Sequence, residues 1–173
     1  MEDKKVVVAA ILEKELFSCI MGKFGAENEY AEVVNYIDTD EETVKRIASE
    51  NHTELLIADF NLCAENSGQK KLSEFCENGS LNPETGDMTE ILMIYEDANR
   101  KALSELQREL FKRKIPLYPL RINNKSSKHE KTLAYYQIKG SIMSLKRQKD
   151  YYAKKKAEAD ELIKCVEEAT GEV

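Results

Sequence analysis

The sequence predicts an α/β domain: five short parallel strands in one sheet, helices on both faces, and a last helix longer than such a domain needs. Three observations carry this. Short β-branched and aliphatic runs alternate with stretches whose apolar residues recur every three or four positions. The apolar runs are nearly continuous rather than alternating, as in strands buried on both faces. Residues 130–168 contain no proline and a single glycine, Gly140, and they keep one three-four apolar repeat throughout.

Each element follows from local pattern. Lys4 to Ala10 (KKVVVAA) reads as the first strand. Residues 13–24 place Leu16, Ile20 and Phe24 on one helical face, one turn after Leu12, and Gly25 stops the helix. Glu32 to Ile37 (EVVNYI) is the second strand. Thr39 or Asp40 caps a helix over 41–51 with Val44, Ile47 and Ala48 inward, and early glutamates complement its dipole. Glu54 to Ala58 (ELLIA) is the third strand. A short helix over 67–76 turns Leu72, Phe75 and Cys76 inward. Asn78 to Thr89 is a surface loop rich in turn formers. Ile91 to Tyr95 (ILMIY) is the fourth strand. The helix over 98–113 sets Leu103, Leu106 and Leu110 inward, joined by Ala102 and Phe111. Ile115 to Ile122 is the fifth strand, placed at an edge by its two prolines.

The composition suits a folded domain of 173 residues, with 42% hydrophobic and 34% charged residues and a net charge of −6. The acidic balance argues against general nucleic-acid binding. No apolar run approaches the roughly 18 residues of a membrane span, and the first run is too short for a signal peptide's core, so a cytoplasmic protein is expected. Cys19, Cys63, Cys76 and Cys165 form no C-x-x-C pair, and with only His52 and His129 to help them they read as reduced thiols, with no metal site.

Right-handed crossovers turn this element order into a doubly wound, flavodoxin-like sheet of strand order 2-1-3-4-5. Residues 1–125 form the α/β domain and 126–173 the long C-terminal helix. Ligands of such sheets bind at the carboxyl ends of strands, where the stretch TELLIADFNL delivers Asp59.

That stretch, the five-unit order and the segment Tyr118-Pro119-Leu120-Arg121 resemble the receiver domain of bacterial response regulators over residues 4–124. The resemblance implies a phosphoacceptor at Asp59. It also implies an acidic pair after the first strand that helps bind Mg²⁺, a Ser or Thr closing the fourth strand, and a Lys-Pro step at the fifth. Here the corresponding positions read Ala9-Ala10, Tyr95-Glu96 and Arg121-Ile122. Without the acidic pair a hard cation lacks oxygen ligands, unless Glu13 or Glu96 folds in. Asp59 then reads as a turn or helix cap, or as the partner of Arg121. Such atypical receivers resemble the N-terminal domain of TadZ/CpaE proteins, which join a degenerate receiver to a ParA/MinD-type ATPase and localise the Flp/Tad pilus machinery. The implied role is a non-catalytic interaction module; the alternative is a receiver phosphorylated at Asp59 in two-component signalling. No ATPase motif is present. A flavin-type cofactor is not expected, because the loop after the first strand, AAILEKE, lacks the Gly, Ser and Thr that cradle phosphate. No spacing supports a catalytic triad.

The C-terminal helix, capped by Ser126 or Ser127, carries its apolar seam at Tyr135, Ile138, Ile142, Leu145, Tyr152, Ala159, Ile163 and Val166, with Lys149 and Lys156 in the same register. Its first half is expected to pack on the sheet and its second to project and pair, favouring a homodimer through the last strand-helix face and this helix. Residues 146–156 sum to +5 and 157–173 to −5, so two tails pair better antiparallel than parallel. The acidic end opposes the helix dipole, which predicts fraying after Val166 or a partner's positive charge there. The basic block Lys146–Lys156 suits anionic lipid or nucleic acid, but no second basic surface accompanies it. Heptads running to the end of the sequence suit a segment of a longer chain.

Overall fold

The computed structural model describes residues 4–22, 29–78, 81–82, 85–123 and 125–171. Five strands, β1 (Val6–Ile11), β2 (Ala31–Asn35), β3 (Leu55–Asp59), β4 (Glu90–Tyr95) and β5 (Leu117–Arg121), form one parallel sheet in the order β2-β1-β3-β4-β5. This is the doubly wound order expected from the alternation of strands and helices. Helices α1 (Lys14–Met21) and α6 (Lys128–Thr170) bear on one face. Helices α2 (Glu41–Glu50), α3 (Phe60–Cys63), α4 (Asn66–Asn78) and α5 (Arg100–Lys112) bear on the other. The continuous apolar character of β1, β3 and β4 follows from this: Val8 and Ala10 join the α1/α6 core, while Ala9 and Ile11 join the other.

Several local signals operate as their chemistry dictates. Asp40 caps α2, its carboxylate accepting from the Thr43 amide at 2.9 Å and the Thr43 hydroxyl at 2.6 Å. Ser127 caps α6 and accepts from the Glu130 amide. In the loop after α4, Leu81 and Met88 form an antiparallel bridge, and Gly86 takes a φ of 76° that a side chain would strain. The expected continuation of α1 through Phe24 to Gly25 lies outside the described residues.

Other expectations are corrected. Ala102 and Phe111 are not inward: Phe111 is 79% exposed, because α5 turns a narrow stripe to the sheet and only Leu103 and Leu110 are buried in it. Ala9 and Ala10 do not end β1; the strand runs on through Ile11, which pairs with Ala58, because the apolar run continues two residues past the alanines. α6 does not fray at Val166. It continues to Thr170, where Gly171 closes it in the left-handed conformation with its N–H on the Glu167 and Glu168 carbonyls.

α6 is about 64 Å long at 1.5 Å per residue. Ala134, Ile138 and Ile142 are buried against β1, β3 and α1, and Tyr135 and Leu145 are half-buried beside them. The first half therefore completes the core of the domain, as expected of it. From Lys154 onward every described residue of the helix is exposed. No helix among the described residues is long and apolar enough to cross a membrane.

Candidate functional site

Two places could carry function: the carboxyl rim of the sheet and the opposite, amino-terminal base. At the rim, Asp59 is the last residue of β3 and the N-cap of α3, its carboxylate accepting from the Asn61 amide at 2.9 Å. The apolar run LLIA brings it there, and the cap explains why a helix starts at once; the short α3 was not foreseen, since four residues are too few to show a period. Burial raises the Asp59 carboxyl above its ordinary range; the Asn61 amide opposes this, and the nearby Glu13 and Glu96 charges add to the rise.

The register Ile11↔Ala58 sets Leu12 and Glu13, not Ala9 and Ala10, beside Asp59. The Asn35 side chain holds this corner, donating to the Leu12 carbonyl at 2.9 Å and accepting from the Leu12 amide at 3.2 Å. Three carboxylates thus share one neighbourhood, yet among the described residues no group of three His, Cys, Asp or Glu is close enough to hold a metal ion. Tyr95 packs its ring half-buried against the α2–α5 core and offers no short hydroxyl at the end of β4. Arg121 does not pair with Asp59. Its guanidinium bonds Asp97, in the 3₁₀ turn Asp97–Asn99 that follows β4, and both partners are largely exposed. The reason is proximity: β5 lies beside β4, so Arg121 meets the loop leaving β4 before it can reach β3.

A cleft of about 480 Å³ opens beside this rim at the point where the strand order reverses, lined by Ile11, Ile37, Leu62, Glu65, Gly68 and Lys71 among others. Lys71 is 4% exposed, and its ammonium donates to the carbonyls of Tyr36 and Ile37 at 3.1 and 2.9 Å, tying the β2–α2 loop to α4. Gly68 allows α4 to start against α3: a Cβ there would stand 1.9 Å from the Leu62 carbonyl oxygen. Sequence reading missed both, since a lysine in an amphipathic helix and a glycine near its start look ordinary.

The base is built by α6. Lys146, buried, donates to the Lys4 carbonyl at 2.8 Å and to Asp150 at 2.9 Å. Lys149 donates to the Lys5 carbonyl at 2.8 Å and to Glu54 at 3.0 Å; Glu54 also accepts from the Val7 amide at 2.6 Å. The lysine noted in the apolar seam at position 149 is therefore, with Lys146, a clasp on the two carbonyls just ahead of β1, and the basic block has two of its charges committed within the chain. Below the clasp, α6 and the loops at the amino ends of the strands enclose a groove of about 1750 Å³.

Cys63 and Cys76 are buried between the sheet and α3/α4, and burial pushes their thiols up to about 12 and about 11; Cys19 and Cys165 are exposed.

No family model matches the sequence, and no curated protein matches it. Among solved structures, a flavodoxin from Streptococcus pneumoniae TIGR4 is similar, with a TM-score of 0.44 at 12% identity over 81% of this chain and 97% of that one.

Proposed function

We propose that this protein is a non-catalytic interaction module: an atypical receiver-type domain whose long final helix docks a protein partner. The observation that carries the reading is the distal half of α6. It projects roughly 27 Å past Ala153 with Leu162, Ile163 and Val166 exposed at 66%, 56% and 55%, while the proximal half and the Lys146 and Lys149 clasps hold it at a fixed angle. Apolar residues kept in register along a rigid, solvated helix suit a partner's surface better than solvent. The edge strand β5 adds exposed Tyr118 to the same reading of the last strand-helix face. The receiver resemblance, with Asp59 closing β3, extends the proposal to TadZ/CpaE-like localisation of a Tad/Flp pilus-type assembly in the cytoplasm.

A photo-crosslinking residue at Ile163, introduced in the native cell, tests this. A protein adduct is expected there and not at the exposed control position Lys45. No adduct at Ile163 would sink the reading.

A second reading has one observation in its favour. Beyond the larger effect of burial, the charges of Glu13 and Glu96 reach Asp59 and add to the rise in its pKa, which favours an acidic corner there, though among the described residues no three such groups stand close enough to hold a metal ion. Beryllofluoride with Mg²⁺ decides it: chemical-shift changes around Asp59 support a phosphoacceptor, and their absence removes it.

A further inference from the structure

The groove at the base and the bare half of α6 belong to one continuous surface. At 100° per residue, Leu145, Lys149, Tyr152, Lys156, Ala159, Ile163 and Val166 fall within a sector of roughly 100°. The upper members, Leu145, Lys149, Tyr152 and Lys156, line the groove, whose body side carries Met88 and Pro116 with Lys4, Lys114, Glu50, Asp87 and Glu90 around them. The lower members, Ala159, Ile163 and Val166, are exposed. A ten-residue helical segment, about 10 Å across and 15 Å long, occupies roughly 1,200 Å³, and the open groove has a volume of about 1750 Å³.

Charge along α6 itself sets the direction of a pair, because the body wall of the groove is mixed, with Lys4 and Lys114 among Glu50, Asp87 and Glu90. With Lys146 and Lys149 committed, the groove side of α6 still presents Lys155 and Lys156; Lys155 has an exposed contact with Glu158 at 3.3 Å and lies 5.7 Å from the centre of the Tyr151 ring. The distal half is the complement, with Glu158, Asp160, Glu161, Glu167 and Glu168 against a single Lys164. Its last turn has no basic residue, and the negative end of the helix dipole adds to those glutamates. Closed by Gly171 rather than frayed, that end keeps its acidic charge in place.

We propose that the groove is the seat for the distal half of α6 from a second copy of this chain, running antiparallel, and that the reciprocal insertion makes a two-fold dimer. The proposal rests on the docking reading above and names its partner. In an isologous pair each stripe faces the other, each acidic end meets the other copy's lysines, and Ile163 and Val166 leave solvent beside Tyr152 and Met88. A parallel pair would set basic against basic and acidic against acidic.

Sedimentation equilibrium on the full chain tests this. The chain is expected to be a reversible dimer that weakens with salt. Lys154→Glu, Lys155→Glu and Lys156→Glu together should raise the dissociation constant at least about tenfold, and adding Glu158→Lys, Asp160→Lys and Glu161→Lys in the same chain should restore it to within about threefold. Lys114→Glu, on the body side of the groove, should also weaken the dimer, which a pairing confined to the helices would not show. All these positions are exposed, and circular dichroism checks that each variant folds. A chain monomeric at every concentration, a dimer indifferent to the reversals, or one indifferent to Lys114→Glu overturns the proposal. A monomer whose Ile163 still crosslinks to a different protein overturns the second copy alone; absence of any Ile163 adduct overturns the docking reading itself.

Discussion

The two halves of α6 carry the same apolar repeat and have opposite surroundings. In the proximal half the repeat is buried: Ile138 and Ile142 are 0% exposed and share a core with β1 and α1. In the distal half it is bare, and Ile163 is 56% exposed. Lysine divides the same way, since Lys149 in the stripe is clasped by Glu54 and a carbonyl, while Lys156, two turns on, lies exposed along the groove. Periodicity therefore marks a face without saying what covers it. The energy of covering that face depends on whether the body of the domain reaches it, and the body ends near Ala153.

The largest effect is expected from putting the same charge in each half. Ile138→Asp buries an unpaired carboxylate and should cost about 4 kcal/mol or more, enough to unfold a domain of ordinary stability. Ile163→Asp should change monomer stability by no more than about 0.5 kcal/mol. Urea unfolding of the two variants measures the difference, and equal losses would mean the halves are not distinct.

The lysines sharpen the comparison on a smaller scale. Lys149→Met leaves Glu54 without its cation and the Lys5 carbonyl without its donor, at a cost of about 2 kcal/mol. Lys156→Met should fall within about 0.5 kcal/mol of the parent. Thiols give a reading without mutation. In native protein at neutral pH, Cys19 and Cys165 should react with a thiol reagent in the fast phase, while Cys63 and Cys76 wait for unfolding. Four fast thiols would contradict the packing of α3 and α4.

The smallest effect belongs to the rim. Burial holds the Asp59 pKa above its unfolded value of 3.8, so the folded state binds the proton more tightly, and stability declines as pH rises from 3.8 through the folded value. Asp59→Asn keeps an N-cap and removes the charge, so a small gain is expected at neutral pH that disappears below pH 3.8. Parallel pH-stability curves for the two proteins would show that Asp59 is not desolvated.

Much of the fold was legible because it is written in periods. Val6 to Ile11, Leu55 to Ala58 and Ile91 to Ile94 need burial on both faces, and the helices between them need it on one, which leaves few ways to arrange five parallel strands. Asp59 was legible for the same reason, as the first charge after an apolar run. The surroundings of Asp59 were not. Whether Arg121 meets Asp59 or Asp97 depends on which strand ends side by side, and Ala9 and Ala10 could be taken for rim residues because small apolar residues do not mark where a strand stops. Lys71 reaching the Tyr36 and Ile37 carbonyls, 35 and 34 residues away, and Gly68 passing under Leu62 depend on contacts between elements that no local period records.

By itself the sequence determined the alternation of strands and helices, the central inward residues of the helices, and a final helix with a basic block followed by an acidic one, because these follow from side-chain polarity and the geometry of one element. Only the tertiary structure decided where the body stops supporting α6, that Lys146 and Lys149 bond the Lys4 and Lys5 carbonyls just ahead of β1, and that a groove opens beneath them. Those facts depend on distances between elements far apart in the chain, and hydrogen bonds and burial act over a few ångströms in space, whatever the separation in sequence.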